Sequence, residues 1–228
     1  MNKKHKIIAI IVCAALISLI GGSYAVFINS TDTTKAVSTS KLGITLVQTN
    51  DTNKSTAVTT ETGTKIGLNY GNVMPGSVIN ESMAVKADAD SKTSYVRVTA
   101  TRYWTDKDGN KVTQSDNADK TFLDPSLIKI NTKNASSHWY VKEDAEDAER
   151  IYFYYKLPLT AGVTTDNLMD SFTIDSSLSS NKYSGYSSHI EFFAEGVQQT
   201  AGKDAMLAEW GVNVTLDDSG NITEIVEQ

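Results

Sequence analysis

Apolar side chains recur at every second residue along much of this chain, which is the spacing of a strand with one buried face. In residues 95–101, for example, Val96, Val98 and Ala100 alternate with larger or polar side chains. Successive side chains of a strand point to opposite faces, so this pattern predicts half-buried antiparallel strands. The same spacing occurs in residues 42–46, 79–87, 151–157, 190–195 and 212–216, and the last of these segments is predicted to pair with Ile222 and Ile225 across a turn. The chain is therefore predicted to be all-β.

Turn sequences separate these segments, and about seven or eight strands with turns every 8–15 residues or so are typical of a two-sheet sandwich. A jelly-roll-like sandwich with short helical insertions is the predicted architecture. Helical signals are confined to residues 203–210, followed by Gly211 as a C-cap, and to one turn that begins at Pro125. Residues 142–150 are predicted to be a hairpin loop in preference to a short helix. Residues 50–63 are predicted to be a solvated loop or a hairpin tip.

The first 25 residues have the composition of an export signal. Lysines come first, an apolar run then extends from 7 to 20, and small residues, Ser23 and Ala25, precede Val26. This order predicts a signal peptide, residues 1–25, that is cut between Ala25 and Val26. The alternative is an uncleaved anchor, since residues 7–28 form a stretch of about 22 residues, enough to span a bilayer.

Cleavage would remove three lysines and no acid, which leaves 21 − 3 = 18 basic residues against 27 acidic ones and a net charge of −9. No basic run follows Lys6, so nucleic-acid binding is not expected. The acidity disfavours an anionic membrane surface, and membrane contact is expected only through an uncleaved signal. Cys13, the only cysteine, lies within the apolar run, so the mature chain would have no disulfide. Its partners are expected to be proteins or polysaccharides.

Residues that could carry out catalysis are sparse. His138 and His189 are far apart in sequence, whereas a zinc-protease helix needs two histidines one turn apart. No Gly-x-Ser-x-Gly motif occurs and no thiol would remain after cleavage. The chain is therefore predicted to be no enzyme, with no catalytic residue, no cofactor and no metal.

Two aspartate-rich segments resemble the start of a calcium loop. These are residues 106–110 and 217–221, but their glycine spacing does not fit the loop and the later glutamate ligand is missing. Asp-Gly and Ser-Gly pairs between apolar strands favour hairpin turns instead. Weak calcium binding at either tip stays open as the alternative.

The C-terminal residues contain no Leu-Pro-x-Thr-Gly sorting signal and no apolar or basic tail. If the signal is cleaved, retention at the cell surface is expected to depend on self-assembly or on a partner.

Several segments, taken in order, resemble the TasA/camelysin family of exported Gram-positive proteins, and its clostridial-type branch in particular. The signal ends in Gly-Gly-Ser-Tyr-Ala-Val-Phe and is followed by Lys-Leu-Gly-Ile-Thr-Leu at 41–46. The other matching segments are residues 74–77, 95–98, 123–128, Trp139, 154–159, 162–165 and 194–198. Residues 50–63 have no counterpart in this resemblance.

The resemblance implies a secreted jelly-roll protein of the extracellular matrix or cell surface, processed by a SipW-type signal peptidase. Such proteins polymerise into biofilm-matrix or pilus-like fibres, in which an N-terminal strand of one subunit adds to the next. Val26, Phe27 and Ile28 would be the donor strand, on a flexible arm of residues 26–40 ahead of a sandwich domain, residues 41–228. Partners would then be further copies, the peptidase and other matrix proteins. The alternative from the same family is a camelysin-like surface metalloprotease.

We predict that the secreted chain begins with Val26. Replacement of Ala25 by leucine should block processing, because a bulky residue does not fit the position before the cut. Intact-mass spectrometry of the released and cell-bound fractions measures both outcomes. A released chain that still contains Cys13 would contradict the prediction.

Overall fold

The computed structural model describes residues 42–48, 58–59, 63–70, 74–112, 123–132, 138–178 and 183–227. All of them belong to one compact unit, Ser40–Gln228. The predicted signal peptide, residues 1–25, and the whole predicted arm, residues 26–40, lie outside the described residues.

Thirteen strands and one α-helix make up the described part of the chain. In chain order they are β1 (Ile44–Gln48), β2 (Val58–Thr59), β3 (Thr64–Tyr70), β4 (Val78–Ala87), β5 (Ser94–Thr105), β6 (Lys111–Val112), β7 (Ile128–Asn131), β8 (Trp139–Glu143), β9 (Arg150–Tyr155), β10 (Met169–Ile174), β11 (Ser187–Gln198), α1 (Gly202–Trp210), β12 (Val212–Leu216) and β13 (Ile222–Glu227). Single 3-10 turns occupy Pro125–Leu127 and Ser176–Leu178.

The strands form two main antiparallel sheets. The small sheet has the order β1-β4-β10-β7, and the large sheet has the order β2-β3-β11-β5-β9-β8, with β6 paired to one end of β5. A separate hairpin consists of β12 and β13. One apolar core joins the inner faces of the two main sheets, with Phe172 from the small sheet and Phe153 and Phe192 from the large one fully buried. The predicted all-β class is confirmed; the jelly-roll connectivity remains a prediction.

The alternation of apolar residues and the local turn sequences predicted the positions of most strands and turns correctly. Val96, Val98 and Ala100 are fully buried, as their spacing predicts. Helix α1 ends at Gly211, whose positive φ of 67° lets its N–H bond the Leu207 carbonyl. Residues 144–149 are the loop between β8 and β9, as predicted. Within the predicted loop 50–63, β2 pairs with the first two residues of β3.

A second apolar cluster covers part of the outer face of the large sheet. Helix α1 and the β12–β13 hairpin pack there through Met206, Trp210 and Val212, over Tyr95 and Tyr154 of the sheet. The alternation predicted one buried face, yet Tyr95 and Tyr154 are both buried on the other face. Strands β5 and β9 are therefore covered on both sides where this layer lies.

Arg97 attaches the outer layer to the sheet. Its guanidinium donates to the Trp210 carbonyl over 3.3 Å and pairs with Glu195 on β11. It also lies over the rings of Tyr152 and Trp210, at 5.5 and 5.4 Å from their centroids. A cation at this carbonyl also interacts favourably with the negative end of the helix dipole.

At one side of the sandwich, a threonine links the two sheets. The Leu46 N–H of β1 donates to the Thr64 hydroxyl of β3 over 3.1 Å, and Thr64 is almost fully buried. Strand β1 ends the small sheet, so this amide has no partner strand in the described chain. The hydroxyl thus satisfies one edge amide of β1 and links the two sheets.

We predict that Thr64→Val lowers the free energy of unfolding by about 1–3 kcal/mol, because it leaves a buried N–H without an acceptor. Thr101→Val, at a half-buried position on the outer face of β5, is the matched control and should change stability little. Urea denaturation of both variants measures the difference. Equal stability of the two would show that the Thr64 hydroxyl does not stabilise the buried Leu46 amide.

Candidate assembly surface

The residues predicted from sequence to act in processing and assembly are Ser23, Ala25, Val26, Phe27 and Ile28, and all of them lie outside the described residues. The predictions about cleavage and the donor strand therefore stay predictions. What the structure does describe is the surface that another strand could join.

The two histidines of the domain are held separately. The His138 Nδ1 lies 2.6 Å from the Asp166 carboxylate, with about half of each side chain exposed. The His189 ring stacks on Tyr103, with centroids 5.0 Å apart, and its Nε2 lies 2.8 Å from the Thr105 hydroxyl. Partial burial lowers the pKa of His189, since it disfavours the charged ring. Among the described residues, no group of three or more His, Cys, Asp or Glu side chains is arranged to hold a metal.

Both aspartate-rich segments are hairpin turns. The Asp106 carboxylate accepts from the main-chain N–H of Asp108 and Asn110, and Asp217 does the same with Ser219 and Asn221. These hydrogen bonds, chiefly those from the asparagines, lower the pKa of each aspartate. The carboxylates therefore act as turn acceptors, as the hairpin interpretation predicted.

The opposite side of the sandwich from Thr64 is organised around Arg102. This side chain points inward from β5 and is almost fully buried. Its guanidinium donates to the carbonyls of Ile128 on β7 and Ala148 in the β8–β9 loop, over 3.1 and 2.9 Å. It also lies 3.6 Å from the Glu143 carboxylate at the end of β8. One guanidinium thus connects β7 and β8, the end strands of the two sheets.

Burial has an electrostatic effect on this group. Burial lowers the pKa of Arg102, because a charge is less stable away from water. The negative charges of Glu143 and Asp124 raise this pKa, but by less. A guanidinium stays protonated under ordinary conditions, so the charge persists and must be matched by acceptors. The two carbonyls and Glu143 supply them.

Strand β7 presents an edge on this side. The Leu127 carbonyl accepts a hydrogen bond from the main-chain N–H of Asp175, which follows β10. In an antiparallel pair the main-chain groups of every second residue point toward the partner strand. Those of Ile128 and Ile130 therefore point away from β10. The Ile128 carbonyl accepts a hydrogen bond from Arg102. The described chain contains no strand beside Ile130, whose side chain is half-buried against the core.

Strand β8 is the corresponding edge of the large sheet. His138 and Asp144 hydrogen-bond toward β9, so the main-chain groups of Trp139, Val141 and Glu143 point away from it. Trp139 is buried, and its indole N–H donates to the Asp166 carbonyl over 2.9 Å. Val141 lies on the same inner face but is 37% exposed, because the described small sheet ends at β7 and leaves it uncovered.

A shallow groove of about 240 Å³ lies on the outer face beside β8. It is lined by Tyr140, Lys156 and residues 222–225 of β13. Tyr140 is 37% exposed, so both faces of β8 carry exposed apolar surface. The name β7–β8 side is used for β7, β8 and the gap between them, in which the described chain has no strand. Two strand edges with apolar surroundings can accept further strands by main-chain hydrogen bonding.

Comparisons with protein-family models, curated proteins and solved structures found no match to this chain. Within the described ranges, no helix has the length and apolar character needed to cross a membrane.

Sequence reasoning missed Arg102 and the exposure of Val141. The even-numbered alternation in β5 continues from Ala100 to Arg102 and Trp104, which was a signal that the arginine points inward. No comparable signal shows which strand lies at a sheet edge, because strand order depends on pairings between distant segments.

We predict that Arg102→Met lowers the free energy of unfolding by about 2–4 kcal/mol, since it leaves two carbonyls without a donor. Glu143→Gln is the control, and it should cost at most about 1 kcal/mol because Glu143 is mostly exposed. Chemical denaturation of both variants measures the effect. A larger loss for Glu143→Gln than for Arg102→Met would contradict the role assigned to the guanidinium.

Proposed function

We propose that this chain is a structural subunit of an extracellular biofilm-matrix or pilus-like fibre. Subunits join head to tail, and the N-terminal arm of one copy adds as a strand to the next. The observation that carries the proposal is the β7–β8 side, where the small sheet stops and leaves Val141 of the large sheet partly uncovered.

The acceptor in this proposal is the edge of β7. A strand placed beside it would receive and donate main-chain hydrogen bonds at Ile130 and would extend the small sheet over Val141. Main-chain bonding provides affinity, and side chains that enter the gap fix the register.

Residues 26–28 suit this position. Alternation puts Val26 and Ile28 on one face of an added strand and Phe27 on the other. Each fully buried side chain of this kind contributes about 1.5–3 kcal/mol. A head-to-tail contact of this type does not close on itself, so it produces open filaments.

The similarity to the TasA/camelysin family and the export signal support the same proposal. A SipW-type signal peptidase would release the arm, and the fibre would form outside the cell. Further copies of the chain are the main partners, with other matrix proteins as additional ones.

We predict that replacing Val26, Phe27 and Ile28 by serine abolishes filaments and leaves folded monomers, because the described fold contains none of these residues. The double exchange Val26→Ile with Ile28→Val keeps the apolar pattern and is the matched control. Electron microscopy and size-exclusion chromatography compare the variants with the unaltered secreted chain. Filaments of unchanged length from the serine variant would refute the donor-strand proposal.

A further inference from the structure

Strand β8 has a sequence that is complementary to itself. Its main-chain groups at Trp139, Val141 and Glu143 point away from β9, and no other strand of the described chain pairs with them. An antiparallel copy of β8 would therefore meet three residues that can each form a hydrogen-bonded pair. We propose that β8 binds β8 of a second copy, around a two-fold axis through Val141.

With the two-fold axis at Val141, all five residues of β8 pair with residues of the second copy. Val141 then lies opposite Val141 of the other copy, Tyr140 opposite Lys142, and Trp139 opposite Glu143. About six main-chain hydrogen bonds form, two for each outward-facing pair. The two copies bury the half-exposed Val141 side chains against each other.

The charges select the same register. Opposed Tyr140 and Lys142 lie on the outer face, where cross-strand neighbours are close enough for a cation–π contact. An axis shifted to Lys142 or Glu143 would place identical charges opposite each other, which is destabilising. An axis shifted toward Trp139 would leave the end of the strand unpaired.

The size of the contact indicates its role. A single pair of five-residue strands buries less than the roughly 1,000 Å² expected of a stable interface. The pairing is therefore weak between free subunits and gains strength where many copies are held side by side, by the same multivalent effect that raises avidity. It is isologous, so it connects two subunits or two fibres and does not by itself extend a filament. It uses the edge of the large sheet, whereas the proposed donor strand uses β7 of the small sheet.

Cysteine cross-linking tests the pairing and its register. In a Cys13→Ser background, Val141→Cys places two thiols at a hydrogen-bonded pair, where Cα atoms are about 5.5 Å apart, within the range of a disulfide. Lys142→Cys is the matched control on the neighbouring residue, with its two copies roughly 8 Å apart. After mild oxidation of the chain as recovered from expressing cells, non-reducing electrophoresis should show a Val141→Cys dimer that forms several-fold faster than the Lys142→Cys dimer. Equal rates, or no dimer, would overturn the proposal.

A charge exchange provides a second test that does not depend on a thiol. Val141→Lys and Val141→Glu should each weaken self-association in sedimentation equilibrium, and their equimolar mixture should restore it, because Val141 faces itself only in this register. Failure of the mixture to associate would contradict the two-fold axis.

The N-terminal arm is the competing occupant of β8. In the variant with serine at Val26, Phe27 and Ile28, at a protein concentration high enough for the weak contact, the Val141→Cys dimer should still form faster than the Lys142→Cys dimer. Loss of that difference would show that the arm occupies or organises this edge, and the β8 pairing would be wrong. If the dimer persists while filaments are lost, the pairing holds independently of the fibre joint. If the serine variant still forms filaments while the separate Val141→Lys and Val141→Glu variants lose self-association, the pairing holds and the proposed fibre joint fails.

Discussion

Every main-chain N–H and C=O group at the edge of a buried sheet needs a hydrogen-bond partner, and this requirement organises the sandwich. On one side of the sandwich the Thr64 hydroxyl accepts a hydrogen bond from the Leu46 amide, and on the other the Arg102 guanidinium donates one to the Ile128 carbonyl. Both partners are side chains of the large sheet that reach an end strand of the small sheet. These two inward-pointing polar residues thus link the sheets at their edges. The edges of β7 and β8, which have no further neighbouring strand in the described chain, are the proposed places where another chain binds.

The two sides of the sandwich therefore differ in what they can do. On the Thr64 side, a hydrogen bond between Thr64 of β3 and the Leu46 amide of β1 connects the two sheets. Arg102 reaches β7 and β8 from within, yet Ile130, Val141 and the outward main chain of β8 lack a neighbouring strand in the described chain. A protein that had only to remain monomeric would be expected to protect such edges. The β7–β8 side instead combines exposed apolar side chains with hydrogen-bonding groups, which favours a role in assembly.

The sequence was sufficient to predict the all-β fold class and most of the local elements. Alternation identified the inward Val96, Val98 and Ala100, and Gly211 and Pro125 marked a helix end and a helical turn because their backbone preferences are local. The outer layer was not predicted, since the burial of Tyr95 and Tyr154 depends on Trp210 and Val212, far away in sequence. Likewise, the order of strands and the open edges follow from long-range pairing, which no window of residues encodes. The signal and donor-strand predictions concern residues outside the described ranges.

The central claim is that β7 accepts a strand from another copy when fibres form. Amide hydrogen exchange of residues 128–131, measured in assembled filaments and in the dissociated chain, tests this most directly. The Ile130 amide is expected to exchange much more slowly in filaments, because it gains a main-chain acceptor there. Exchange at Ile130 that is unchanged by assembly would show that the joint lies elsewhere.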